Sequence, residues 1–151
     1  NIVIGGASGS FAVLAGAAAI DPALSPIPVL LALVLFFWTP SHFWSLAIAK
    51  HQDYANAGVP MLSVVIGDQR TAVVVLFNTL ILVTLSVIPF FYGLGWIYLV
   101  GALAGGGYFI YCNVLMVRDP SVGLAMKSFF ASLVQLVFLL LGAVLDVSLL
   151  S

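Results

Sequence analysis

Charge is what this sequence has least of. Only 6% of its 151 residues are charged, where soluble domains carry about 25%. Hydrophobic residues make up 64% of the chain and the mean hydropathy is +1.27, which together exclude an ordinary soluble domain. Basic residues number four and form no run, so nothing suggests nucleic-acid binding. The one cysteine, Cys112, lies in an apolar stretch; it has no partner for an internal disulfide and is expected to serve packing. With two histidines beside it, metal centres built on Cys/His clusters are excluded by number. The start shows neither a basic leader nor a cleavage site, and the chain shows no internal repeat and no low-complexity tract. Beginning at Asn1 in sequence that is already apolar, it is expected to be the C-terminal part of a longer protein, a single membrane domain over residues 1–151.

What is present is long apolar runs. Roughly 20 such residues cross a ~30 Å hydrocarbon core as a helix, and the runs lack the alternation of a membrane β-barrel. The expected fold class is therefore all-α, a polytopic transmembrane helix bundle with spans at about 2–20, 29–49, 71–92, 96–117 and 128–149. Span one is rich in Gly, Ala and Ser, which predicts packing in the bundle interior. Asp21 to Pro28 reads as a turn because of its three prolines. Pro40 predicts a kink in span two, and Gly101 with Gly105 to Gly107 predicts close helix contact. Asn113, alone in span four, is expected to make an interhelical hydrogen bond.

Most of the recognisable polar chemistry falls between Trp38 and Leu62, WTPSHFWSLAIAKHQDYANAGVPML. If the helix of span two continues to Asp53, then Thr39, His42, Leu46, Ala49 and Asp53 share one face, with the imidazole ~16 Å from the carboxylate. Intramembrane ionisable groups point to function, so His42 is expected to face a substrate cavity lined in part by Trp38, Phe43 or Trp44. The plainer alternative is a histidine buried against a serine or a carbonyl. Beyond the helix, Asp53 can give one carboxylate to a divalent ion, Lys50 and Arg70 can neutralise phosphate, and Gly58 with Pro60 can bend the loop. The plainer alternative is a loop of solvated charges. All four basic residues (Lys50, Arg70, Arg118 and Lys127) fall in the loops after spans two and four, which the positive-inside rule assigns to the cytoplasm. Asp21 and Asp146 lie on the far side and are expected to be interface residues without a role.

The stretches NIVIGGASGS at Asn1 to Ser10 and FFWTPSHFWSLAIAKHQDYANAGVPMLSVV at Phe36 to Val65 resemble the haem-farnesylating branch of the UbiA-type intramembrane prenyltransferases. The resemblance implies nine helices in the whole protein, of which these spans are the last five, and a second active-site loop at Lys50 to Arg70. It implies transfer of the farnesyl group of farnesyl diphosphate to a vinyl group of haem b, with hydration, giving haem O. Mg²⁺ would be the cofactor, the bilayer the setting and a bacterial inner membrane the location. Carried onto this chain, it assigns Asp53 to Mg²⁺, and Lys50 and Arg70 to diphosphate or haem propionates. His42 (a candidate axial contact to haem iron), Trp38, Phe43, Trp44, Tyr54 and Asn1 form the substrate-binding set. The pattern departs in places: Ser41 stands where a second proline is common, Phe11 to Leu14 where a Pro-Pro pair is usual, and Ala57 where a second aspartate would fall. The first aspartate-rich motif of the family is absent, so the isolated chain is expected to be inactive without an N-terminal half as partner.

Two other readings stay open at this point. A prenyltransferase for a different acceptor would need the same loop. A transporter would set its polar residues at the bilayer midplane on broken helices, whereas most of those recognised here sit at one membrane face. The topology is testable by labelling: cysteines introduced at Gln69 and Ser121 should react from the cytoplasmic side and one at Ala23 from the other. Labelling of Gln69 and Ser121 positions from opposite sides would refute the five-span arrangement.

Overall fold

The structure, a computed structural model, describes residues 2–150. The order of elements is α1 (Ile2–Ile20), α2 (Pro26–Ala49), α3 (His51–Asn56), α4 (Leu62–Ile66), α5 (Asp68–Val87), a 3₁₀ turn (Ile88–Tyr92), α6 (Trp96–Arg118) and α7 (Val122–Leu150). No strand occurs among the described residues. Five helices are long and apolar enough to cross a membrane, so the chain is an integral, multi-pass, all-α membrane protein. Asn1 of the expected substrate-binding set lies outside the described residues.

Several boundaries move from the sequence reading, for local reasons. Pro26 and Pro28 fall in the first turn of α2 rather than in the preceding turn, because a helix start needs no donor from them. The α5 helix begins already at Asp68 and α7 at Val122. What reads as loop after α2 holds two short helices, α3 and α4, with the chain reversing at Gly58, whose φ is +67°.

The α2 helix is central and packs on α1, α5 and α7, while α6 lies along α7 and α5. The closest approach is between α6 and α7. A Cβ on Gly101 would stand 2.8 Å from the Phe138 carbonyl oxygen, and one on Gly105 2.9 Å from Gln135 Cα. Glycine at a four-residue spacing thus lets the two backbones touch, as expected from the sequence. Within this chain only Gly6 and Ser10 of α1 are buried. Gly6 meets Thr39 and the Ser10 hydroxyl donates to the Ala32 carbonyl at 2.8 Å, two close contacts of α1 along α2.

Inside the bundle a run of hydrogen bonds ties four helices together. The Ser41 and Thr79 hydroxyls are 2.9 Å apart. Asn113 donates to Thr79 Oγ1 at 2.8 Å and its own carbonyl oxygen accepts from the Ser128 hydroxyl. Ser45 lies 2.9 Å from Ser128 and donates to the Ser41 carbonyl. Asn113 is therefore the interhelical bond its isolation in an apolar span suggested. Pro40 lies inside α2 and has no N–H for the carbonyl one turn back; beside it, Asn78 donates to the Phe37 carbonyl at 2.7 Å and to the Ser41 hydroxyl at 2.8 Å. Where the resemblance has a second proline, Ser41 supplies the hydroxyl on which α5 fastens.

Asp146 corrects another expectation. It is only 4% exposed, and its carboxylate accepts from the backbone N–H groups of Gly95, Ile97 and Tyr98 at the start of α6. It caps a neighbouring helix through space, with its charge set against the positive end of the α6 dipole. Asp146→Ala should therefore lower stability by about 1–2 kcal/mol, read as a lower midpoint of thermal unfolding in detergent, with Asp146→Asn losing less because its amide oxygen still accepts. An unchanged midpoint for the alanine variant would show that the cap contributes nothing.

Candidate functional site

The two polar loops meet at one end of the bundle. Gln69, at the start of α5, donates from Nε2 to the Val117 carbonyl at the end of α6 at 2.7 Å. An open cleft of about 440 Å³ lies there, lined by Ile48 to Asp53, Asp68, Pro120 and Val122. Lys50 and Asp53 are therefore brought together, their charged groups 3.6 Å apart and largely exposed. Such a pair contributes little to stability, and it leaves carboxylate lone pairs open to another partner. Arg70 is exposed in the first turn of α5, has no ion-pair partner among the described residues, and is not part of the cleft lining. Tyr54 stands half-buried on α3. His51, which the sequence reading passed over, holds Asp68 through Nδ1 at 2.7 Å; the seventeen intervening residues hid that pairing from any local pattern.

The helical stripe from Thr39 to Asp53 is interrupted. Lys50 adopts φ −109° and ψ 27°, outside helical geometry, so α3 is a separate element from α2. Below the break, His42 is 7% exposed. Its ring is stacked between Trp38 and Phe129, each centroid at 4.3 Å, and Phe43 meets it edge-on at 5.1 Å. His42 Nδ1 lies 2.6 Å from the Ser132 hydroxyl. That hydroxyl donates to the Phe129 carbonyl, so its oxygen is left to accept from Nδ1–H, and the neutral ring carries its lone pair on Nε2. Trp38 is fixed by the same turn of α7, its indole N–H donating to the Ser132 carbonyl at 2.9 Å.

The aromatic residues thus divide into two groups. Trp38 and His42 face α7. Phe43 lines a hollow of about 260 Å³ against Ile2, Gly5, Gly6 and Thr39. Trp44 lines another, about 220 Å³, with Ile2, Val3, Val65 and the Pro60 to Leu62 segment. His42 does not line the cleft that holds Asp53. The histidine buried against a serine, weighed as the plainer alternative, describes its Nδ1 side; Nε2 has no partner among the described residues. For a metal-bound imidazole, a hydrogen bond at the opposite nitrogen is the usual way of fixing ring and tautomer.

Comparison with known proteins decides the family. The model of the UbiA prenyltransferase family matches residues 1–144. The chain belongs to that family. Among curated relatives it is 56% identical, over 97% of its length, to "Protoheme IX farnesyltransferase 2" of Paramagnetospirillum magneticum, and 52% identical over 97% to "Protoheme IX farnesyltransferase 1" of the same organism. A "Protoheme IX farnesyltransferase" of Roseiflexus sp. is 44% identical over 97%. The chain spans about half the length of the two Paramagnetospirillum proteins, 51% and 52%, and 28% of the Roseiflexus one. No solved structure matches it. As a member of this prenyltransferase family, the chain carries its polar cleft at one end of the bundle and its aromatic cluster within the membrane-spanning helices.

Proposed function

We propose that this chain forms the C-terminal half of an enzyme that transfers the farnesyl group of farnesyl diphosphate to haem b, giving haem O. The observation that carries the reading is the similarity to two proteins named protoheme IX farnesyltransferase, sustained over 97% of the chain. The polar cleft supports it. Asp53 is exposed and, among the described residues, its carboxylate is paired with Lys50 alone. One free carboxylate suits Mg²⁺, which usually takes one or two carboxylates, waters and substrate phosphate oxygens. When bound, Mg²⁺ would supply charge stabilisation to the departing diphosphate.

The chain's own residues have the following roles in this reading. Asp53 orients the ion and Lys50 and Arg70 face diphosphate, their positive charges opposing the negative charge that builds on the leaving group. Phe43 and Trp44, each lining an apolar hollow, and Trp38 beside His42 exclude water and offer electron-rich faces to an allylic cation. His42 presents Nε2 toward haem, and Tyr54 and Asn1 complete the substrate-binding set. The N-terminal half would provide the remaining helices, corresponding to the first four of nine, and the first aspartate-rich motif. Both polar loops face the cytoplasm, on the bacterial inner membrane.

The test is a fusion of this chain behind the N-terminal half of the Paramagnetospirillum relative, assayed in membranes for haem O by mass spectrometry. The fusion should make haem O only with Mg²⁺ present, and the 151-residue chain alone should make none. Asp53→Asn in the fusion should lower turnover roughly a hundredfold while leaving membrane insertion unchanged. Full activity of that variant would remove Asp53 from the site, and prenylation of a different acceptor in place of haem b would overturn the substrate assignment. His42→Ala should raise KM for haem b more than KM for farnesyl diphosphate. Equal, small effects on both would return His42 to a packing role.

A further inference from the structure

The pair His51–Asp68 stands apart from the groups assigned above and occupies a particular place in the fold. The α3 helix, which carries Asp53 and Tyr54, has no buried residue. Its anchors lie at its flanks: α2 ends just before it, and after it the buried Ser63 hydroxyl of α4 donates to the Ala47 carbonyl at 2.9 Å. Between these points the only side-chain hydrogen bond from α3 to a membrane-spanning helix, among the described residues, is His51 Nδ1 to Asp68 Oδ1 at 2.7 Å. Both side chains are about one-third exposed, 29% and 32%, and both line the cleft.

Asp68 is brought there by its backbone. Gly67 has a φ of +88°, a conformation that side chains with a Cβ rarely adopt, and it lets α4 stop and α5 start with one residue between them. Asp68 is then the first residue of α5, and Arg70 stands in the same turn. The His51–Asp68 bond therefore joins the short helix bearing Asp53 to the helix start bearing Arg70.

We propose that His51 and Asp68 are positioning residues that hold α3 against the start of α5, so that Asp53 and Arg70 keep a fixed separation across the diphosphate group. This rests on the reading of Asp53 and Arg70 given above. A six-residue helix with no buried side chain has little packing to fix its angle between the break at Lys50 and the turn at Gly58, and the bond at its first residue is its side-chain tie to α5. In this role each acts through the placement of Asp53 and Arg70.

The fusion protein, freed of other cysteines, carries spin labels at Ala55 and Val73, both exposed, and the distance distribution between them is measured by pulsed electron spin resonance. The parent should give one narrow distribution. His51→Leu and Asp68→Leu should broaden it and raise KM for farnesyl diphosphate about tenfold, the lower range for loss of a supporting partner, with KM for haem b unchanged. His51→Asn, which sets an amide donor near the place of Nδ1, and Asp68→Asn, which keeps an acceptor, should preserve both the narrow distribution and the KM. A merely space-filling role would be kept by leucine and not by asparagine. Unchanged distributions in the leucine variants would overturn the proposal outright. Broadened distributions with unaltered KM would show that the bond holds α3 while Asp53 and Arg70 do not serve diphosphate, and would overturn the functional reading and the positioning role together.

Discussion

Within hydrocarbon an unpartnered polar group is costly, and the interior of this bundle is arranged largely around that constraint, with the buried Gln135 amide of α7 the exception that has no hydrogen-bond partner among the described residues. Ser41, Ser45, Thr79, Asn113 and Ser128 lie on four different helices and are all buried. Their donors and acceptors meet one another, so α2, α5, α6 and α7 are held in one register. Sliding any of these helices by a turn would break several of the bonds at once. Next to Pro40, whose ring removes the donor to the Phe36 carbonyl, Asn78 of α5 reaches the adjacent Phe37 carbonyl and ties α5 to α2 there. Apolar packing alone would not choose between registers so sharply, because lipid competes for the same apolar surface.

Two consequences reach the ends of the bundle. At one end Asp146 of α7 caps α6, joining the helix pair already brought into contact at Gly101 and Gly105. At the other, the fixed helices bring the loop after α2 beside the loop after α6, where Gln69 reaches the Val117 carbonyl. The cleft with Lys50, His51, Asp53 and Asp68 is formed by that meeting.

His42 illustrates how packing defines a chemical group. A histidine in an apolar helix admits many roles, but Ser132 orders its Nδ1 and the flanking rings of Trp38 and Phe129 hold its plane. What remains is a single nitrogen, Nε2, with a defined direction.

The five spans and the helical class were legible in the sequence, because length and apolarity act locally and add along the chain; Arg70, Arg118 and Lys127, read as loop residues, lie instead within the ends of α5, α6 and α7. The close contact at Gly101 and Gly105 and the interhelical bond of Asn113 were legible too, since small or polar residues in an apolar span have few other uses. The start of α2 was placed too late because proline serves turns and helix starts alike, while its end at Ala49 was legible and the short helices α3 and α4 beyond it were not. Asp146 and His51 needed the tertiary structure. Their partners lie 51 and 17 residues away, and only the packing of whole helices brings those groups together. The division of the aromatic residues between the α7 side and the α1 side was decided there as well, because side-chain direction around α2 depends on which neighbours the buried polar bonds hold in place.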